Sequence, residues 1–576
     1  MSQDTDVRAA DPVLGRLAEA ILIPPFPGTA APGWVLDALG RGLAGVTLYG
    51  QNIAAPGQVS ALTAALREAT AGDGPVIAID EEGGDVTRVA FAEGSPYPGN
   101  AALGMVDDTA LTRAVHQAIG ADLAALGINF DMAPCADVLG AADSPAIGTR
   151  SFGADTGLVS RHTAAAVAGL QGAGVAACTK HFPGHGRTGT DTHEAIATIE
   201  GGLADLRLVD LPPFEAAIRA GTLAIMPSHL RVPELTGDLP ASVSGAALTG
   251  LLRGELGFTG VIVSDALEMR ATRDLFGIPR AAVLAVAAGI DLLCLGREGS
   301  EDDYLAVRDA LVAAVRDGTL DGERLEEAAD RVARLRGGLA RARSAAPAAG
   351  GVSSDSAGPG GAGSGGARPV GARPVGAGLV GAGPGASGLG RVGPAVGLIA
   401  ARRAVQVSGP RRTLSHPVII EVEPRENIAA GRFGWGLGPW APAGSVHRVS
   451  ASGRLLNGAG LGPADDAASG ADPSLAGSGL AGSGLASAAG PGPVDAAGIL
   501  AAAAGRSLVA VVRDAHRDEQ TRSLVSALLA ARPDLILVEM GLPLWRPPEG
   551  TSYLATYGAS RASAHAAAEL LGLTPA

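Results

Sequence analysis

Between residues 20 and 340 the chain alternates short apolar runs with stretches of helical periodicity. The runs are AILIPPF (20–26), GVTLYG (45–50), VIAIDEEGG (76–84), INFDMAPCADV (128–138), VAACTKHF (175–182), LAIMPSH (223–229), GVIVSDALEM (260–269) and IDLLCLG (290–296). Their apolar character is nearly continuous rather than alternating, as expected of parallel strands covered on both faces. Segments such as 109–126 and 161–174 show helical spacing between the runs, and an amphipathic, charged segment at 320–343 ends the series. Strand–helix alternation repeated eight times predicts an α/β fold, a (β/α)8 TIM-like barrel, with a doubly wound open sheet as the competing arrangement.

The pattern then stops. Residues 344–397 are rich in Gly, Ala and Pro with no core-forming periodicity, and are expected to be a disordered linker. A similar stretch covers about 455–496. Around it, apolar runs return at 416–424, 507–515, 534–541 and 553–558, with helical segments at about 517–531 and 559–572. The expectation is a barrel domain over 1–343, a linker over 344–397, and a smaller α/β-sandwich domain over 398–576 carrying a low-complexity insertion. The strands of that smaller domain need helices on both faces.

Composition narrows the function classes. The 576 residues carry a net charge of −14 and only 18% charged residues. Such a balance argues against nucleic acid and anionic membrane surfaces as partners, since a polyanion requires a basic face. The start MSQDTDVRAADP lacks the features of a secretion signal, and no run of eighteen apolar residues occurs, so a cytoplasmic protein is expected. Cys135, Cys178 and Cys294 each lie in an apolar run without paired metal-ligand spacing, and are expected to be small buried side chains.

In a barrel the chemistry sits at the C-terminal ends of the strands. Those positions hold Asp80, Glu81 and Glu82 with Arg88 beyond; Asp131 and Asp137, with Arg150 in the following loop; Lys180 and His181; Ser228 and His229; and Ser264 and Asp265, with Glu268 and Met269 close by. Asp265 follows the apolar GVIV. It is either the N-cap of a helix over ALEMRAT or a carboxylate nucleophile at the barrel mouth. Asp191 and His193, two apart, face the same side of an extended loop, so the carboxylate can fix the imidazole tautomer for proton transfer. The alternative is a capping aspartate beside a solvent-facing histidine. A metal site of His181, His185, Asp191 and His193 is a further reading. Pro183 and Gly184 break any helix there, and Lys180 and Arg187 place positive charge beside it. No metal and no cofactor is expected.

The stretches IDEEGGDVTR, APCADV, AIGTRSF, KHFPGHGRTGTDTH, MPSH, PASVSG, LRGELGFTGVIVSDALEM and AGIDLLCLG occur in the order seen in glycoside hydrolase family 3. The Asp-x-His loop resembles that of its β-N-acetylglucosaminidase branch. The likeness covers about residues 15–340, and the region around 505–572 resembles the α/β-sandwich domain of longer members. The resemblance implies a retaining exo-β-N-acetylhexosaminidase acting on GlcNAc-containing glycosides such as cell-wall fragments. Asp265 would be the nucleophile, and His193, oriented by Asp191, the general acid and base. Asp80, Arg88, Arg150, Lys180 and His181 would hold the sugar, with His229 and Met269 lining the pocket. A β-glucosidase, a phosphorylase using inorganic phosphate, and a metal-dependent barrel hydrolase are the alternatives. Asp85 stands where members of the branch often have arginine; Arg88 is retained, so sugar binding is expected to survive.

Overall fold

The computed structural model describes residues 12–140, 144–189, 197–199, 201–345, 393–424, 431, 436–453, 456 and 496–573. Each of the eight apolar runs contains a strand: β1 (Leu22–Ile23), β2 (Gly45–Leu48), β3 (Val76–Ile79), β4 (Phe130–Asp131), β5 (Ala176–Phe182), β6 (Ala224–Pro227), β7 (Val261–Ile262) and β8 (Leu293–Cys294). Strands β2 to β7 pair in chain order as one curled parallel sheet, and β1 pairs in parallel with β8. Hydrogen bonds link the two sheets. Thr47 N donates to Pro24 O at 3.2 Å beside β1, and Ser264 N donates to Leu292 O at 2.9 Å beside β8. Every residue of these strands is buried, which accounts for the unbroken apolar runs.

Helices pack outside the strands, and two of them start where a short acidic side chain caps them. Asp108 caps the helix Thr109–Ala125, its carboxylate accepting from Leu111 N, and Asp155 caps Thr156–Gly172 in the same way through Leu158 N. The second helix starts five residues before the periodic stretch predicted from Arg161, because Asp155 supplies the cap. No helix among the described residues is long and apolar enough to cross a membrane.

The predicted closing helix runs Gly322–Ala345. It is tied to the sheet through Asp291, the one charge in the last apolar run. That buried carboxylate accepts from Arg253 Nη2 at 2.5 Å, Arg324 Nη2 at 2.6 Å, Arg331 Nη1 at 3.2 Å and Ile262 N at 2.9 Å. One side chain thus joins β7, the segment before β8 and the closing helix.

The second part of the chain is a six-stranded sheet in the order β11-β10-β12-β13-β14-β9. Its strands are β9 (Gln406–Ser408), β10 (Val418–Val422), β11 (Val446–Val449), β12 (Leu508–Val512), β13 (Ile536–Glu539) and β14 (Ser552–Ala555), parallel except for the β9–β14 pair. Alternate residues feed two cores. Val418, Ile420, Leu508 and Ala510 pack with Leu524 and Leu528 of the helix Glu519–Ala531. Ile419, Val509 and Val511 pack with Ala564, Ala567 and Leu571 of the helix Arg561–Leu571. Both faces are covered, as the apolar runs required. The two edge strands were not predicted. β9 is exposed throughout and β11 is half exposed, so neither has an apolar run to betray it.

The expected insertion at 455–496 lies almost wholly outside the described residues, as does the expected linker except at its ends. A helix already begins at Gly393 and runs to Ala404, packing against the helices Asn100–Val106 and Thr109–Ala125 of the first part and Arg561–Leu571 of the second.

Replacing Asp291 by alanine would leave three part-buried arginines without their shared partner. Asp291→Ala should lose about 3–5 kcal/mol of stability in urea unfolding, with Arg219→Ala, in an exposed helical pair, as the near-neutral control.

Candidate active site

Three cations, Arg88, Arg150 and Lys180, and two carboxylates, Asp80 and Glu82, interlock near the ends of β3, β4 and β5. Glu82 is buried at the centre. Its carboxylate accepts from Arg150 Nε at 2.9 Å and Nη2 at 2.7 Å, and from Lys180 Nζ at 2.7 Å. Burial alone would raise the Glu82 carboxyl, but Arg150 and Lys180 together hold it well below the ordinary carboxylate range. Burial opposes both cations as well. Glu82 outweighs it for Arg150, and Asp80 with Glu82 for Lys180, so both side chains are held firmly charged. Asp80 bonds Lys180 Nζ and stands 3.7 Å from Arg88 Nη2. Asp80 and Arg88 keep partial solvent access, at 24% and 15% of their side chains.

His181 is set by Asp137. Asp137 Oδ2 lies 2.7 Å from His181 Nδ1, and Oδ1 accepts from His185 N at 2.7 Å and from His181 N at 3.3 Å. Burial pushes the Asp137 carboxyl up, but His181 beside it holds it well below the usual range. An ionised Asp137 is an acceptor only, so Nδ1 carries the proton and donates to it. Nε2, 3.4 Å from Arg150 Nη2, faces the cation cluster. Cys135 Sγ also donates to Asp137 Oδ2, at 3.1 Å. The ligand atoms of Cys135, Asp137 and His181 lie within 4.8 Å of one another, a grouping that sequence spacing did not reveal.

Asp265 stands beyond β7, two strands from Lys180, and is half-buried. Its Oδ1 accepts from Ala266 N at 2.8 Å. The N-cap reading fails, because the next helix begins at Arg270 with Met269 at its N-cap. The Asp265 charge reaches under the site. After burial itself, it is among the causes that push up the thiols of Cys178 and Cys294, the latter to about 11. Met269 is buried beside it. Glu268, pushed up to about 7 by burial, is held by Glu298 N at 2.8 Å.

His229 differs from its sequence-based placement as a pocket-lining residue. Its ring is fully buried, with Nδ1 2.7 Å from Ser242 Oγ and Nε2 3.0 Å from the carbonyl of Ala266. Both nitrogens are occupied by the protein, so it braces the backbone next to Asp265 instead of offering a group to a sugar.

Asp191 and His193 lie outside the described residues, but the stems of their loop are fixed. On one side Arg187 donates to Asp210 from Nε at 3.0 Å and Nη2 at 2.6 Å. Gly184, at φ +134°, approaches Asp210 so closely that a Cβ would sit 2.6 Å from its Cβ. On the other side Ile199 N donates to Arg231 O at 3.0 Å, and Arg231 N to Ala197 O at 2.8 Å. The loop therefore leaves from the end of β5 and returns beside the end of β6, with β7 and Asp265 next in the sheet.

The model of the glycosyl hydrolase family 3 N-terminal domain matches residues 35–335. The chain belongs to that family. It is 37% identical over 281 residues to beta-hexosaminidase LpqI of Mycobacterium tuberculosis, covering 47% of this chain and 71% of that protein. It is 39% identical over 268 residues to a beta-hexosaminidase of Stenotrophomonas maltophilia, covering 46% and 79%. A solved family 3 beta-N-acetylglucosaminidase from Paenibacillus sp. str. FPU-7 superposes with a TM-score of 0.75 at 28% identity, over 98% of this chain and 97% of that one. The likeness to that structure spans both parts of the molecule.

Glu82 and Asp137 were visible in the sequence as strand-end acids, but nothing there marked them as the partners that set Arg150, Lys180 and His181. Asp137→Asn removes the charge that fixes the His181 tautomer. It should lower kcat/KM by about 10- to 100-fold, equivalent to the roughly 1.5–3 kcal/mol of a hydrogen bond to a charged group. Steady-state kinetics, with near-UV circular dichroism to confirm packing, checks this.

Proposed function

We propose that the chain is a retaining exo-β-N-acetylhexosaminidase that removes terminal β-linked N-acetylglucosamine from cell-wall fragments or amino-sugar oligosaccharides. The reading is carried by the placement of Asp265 across the strand ends from the interlocked Asp80, Arg88, Arg150, Lys180 and His181. The two sheets, joined beside β1 and β8, are read as one (β/α)8 barrel. The division into a catalytic part to about 343, a linker, and a C-terminal α/β domain starting with the helix Gly393–Ala404 belongs to the same proposal. Solubility in the cytoplasm completes it.

In this reading the sugar hydroxyls bind the partly exposed edge of the charge cluster, Asp80 and Arg88, with Arg150, Lys180 and His181 behind. Such a fixed array gains little from reorganising when substrate arrives, so it orients the anomeric carbon at low cost. Asp265 attacks that carbon and forms a glycosyl-aspartate as the leaving oxygen departs. His193, oriented by Asp191, protonates the leaving oxygen and then takes a proton from the incoming water. Two carboxylates are the usual pair in retaining glycosidases. An imidazole in place of one of them lessens the repulsion of an anionic acceptor, so inorganic phosphate is a candidate competitor of water.

A panel of p-nitrophenyl glycosides, run with and without phosphate and with a chelator, tests the reading. The expected result is preference for the β-N-acetylglucosaminide over the β-glucoside, with chelator having no effect. Asp265→Asn should reduce turnover by at least on the order of 10⁴-fold. His193→Ala should slow poor leaving groups far more than activated aryl glycosides. Full activity in Asp265→Asn, or loss to chelator with rescue by zinc, would overturn it.

A further inference from the structure

Asp85, the departure from the branch pattern, is paired with the C-terminal part of the chain, to Arg513 and Ala559. It stands at the tip of the turn that follows Glu82. Glu82 N donates to Val86 O at 3.1 Å, Val86 N to Gly83 O at 3.2 Å, and Gly84 N to Tyr97 O at 3.0 Å. Gly84 has φ +59° and lies so close to Gly99 that a Cβ would sit 2.4 Å from its Cα, so the turn admits no side chain there. The turn sends Glu82 to Arg150 and Lys180, and Asp85 to the C-terminal domain.

The Asp85 carboxylate is buried between the two parts of the molecule. It accepts from Arg513 Nη2 at 2.5 Å, from Ala559 N at 2.8 Å and from Thr149 Oγ1. Thr149 precedes Arg150, whose own carbonyl accepts from Asn100 Nδ2 at 2.7 Å. Four residues after Arg513, Arg517 Nη2 donates to Ser144 O at 2.8 Å and Nη1 to Pro145 O at 3.4 Å, at the start of the segment that leads to Arg150. One turn of the C-terminal domain, following β12, therefore grips the two loops that carry Glu82 and Arg150.

That turn is itself built rigidly. Asp514 sits at φ +49°. Glu539 at the end of β13 accepts from Asp514 N at 2.8 Å, Ala515 N at 3.2 Å and Gly541 N at 2.7 Å. Leu542 N donates to Asp514 Oδ1 at 2.8 Å. The two arginines thus leave a fixed frame. Elsewhere the parts are also tied by Arg561 to Glu93 at 2.8 Å and by Arg403 to Asp108 at 2.7 Å, the latter an exposed pair that touches neither loop.

We infer that Arg513 and Arg517 are positioning residues of the sugar site: through Asp85–Thr149 and through the carbonyls of Ser144 and Pro145, the C-terminal domain holds Glu82 and Arg150 in the geometry that grips the sugar. A buried Arg–carboxylate contact with further donors on the same carboxylate is directional. A small displacement of an orienting group is enough to impair catalysis. The inference rests on the assignment of Arg150 and Lys180 as sugar-binding.

The test uses the full chain and four forms: wild type, Arg513→Met, Arg517→Ala and Arg403→Ala. Each is assayed well below its unfolding temperature on the p-nitrophenyl glycoside the wild type turns over best, and on an alkyl glycoside of the same sugar. Arg517→Ala frees two carbonyls without stranding a buried charge, so it carries the test if Arg513→Met folds poorly. Loss of orientation predicts kcat/KM lower by about 10- to 100-fold in both variants. The loss should appear largely as a raised KM and be equal for good and poor leaving groups, because the sugar grip and not proton transfer is disturbed. Arg403→Ala should stay within about twofold of wild type even where its unfolding temperature falls, as expected of an exposed pair. Folded Arg513 and Arg517 variants with the kinetics of Arg403→Ala would reduce the domain to a tether and overturn the inference. A wild type that prefers another sugar would overturn the N-acetylglucosaminide reading instead, while the ratios between variants on that sugar would still decide this one.

Discussion

The rest of the site depends on one buried carboxylate. Glu82 lies between Arg150 and Lys180 with almost no water to help it, and its charge is tolerable only because both cations are there. The dependence runs both ways. Two cations at the mouth of an apolar sheet would repel each other and lose their hydration; Glu82 turns them into a fixed array whose outer edge, Asp80 and Arg88, remains open. The charge is balanced inward and the hydrogen-bonding capacity is left outward, which suits neutral hydroxyls better than a strongly charged ligand.

This arrangement explains why the ionisable chemistry of an otherwise apolar chain is gathered at a few strand ends. The near-continuous apolar strands carry it at their C-terminal ends: Lys180 and His181 are among the last residues of β5, Asp80 and Glu82 follow β3 directly, and Asp137 and Arg150 lie in the segment after β4. Neighbouring strands then bring Asp80, Glu82, Asp137 and Lys180 together although they are far apart in sequence. Asp291 does the corresponding structural work on the closing helix, where three arginines share one carboxylate. Asp85 does so between the two parts of the chain.

Much of the fold was legible because it is written in burial. The eight strands of the first part and the four central strands of the second sheet are buried, and their apolar runs announced them. β9 and β11 were missed because edge strands are free to be polar. The polar strand ends were also legible, and with them Asp265, Lys180 and His181. What the sequence could not show was pairing. Asp137 and Glu82 look like their neighbours Asp131 and Glu81 until the chain is folded, and His229 reads as a pocket residue until both its nitrogens are seen to be taken. Asp85 read only as a departure at a position where arginine is common. Its partners Arg513 and Ala559 lie more than 400 residues away, beyond any local pattern.

The central claim is that Asp265 forms a covalent bond to the sugar. A fluorinated N-acetylglucosaminyl fluoride that glycosylates quickly and hydrolyses slowly would trap that state for intact-protein and peptide mass spectrometry. The account predicts one added sugar per chain, located on the peptide containing Asp265 and absent from Asp265→Asn. An adduct on a different residue, or none while the same compound is turned over, would contradict it.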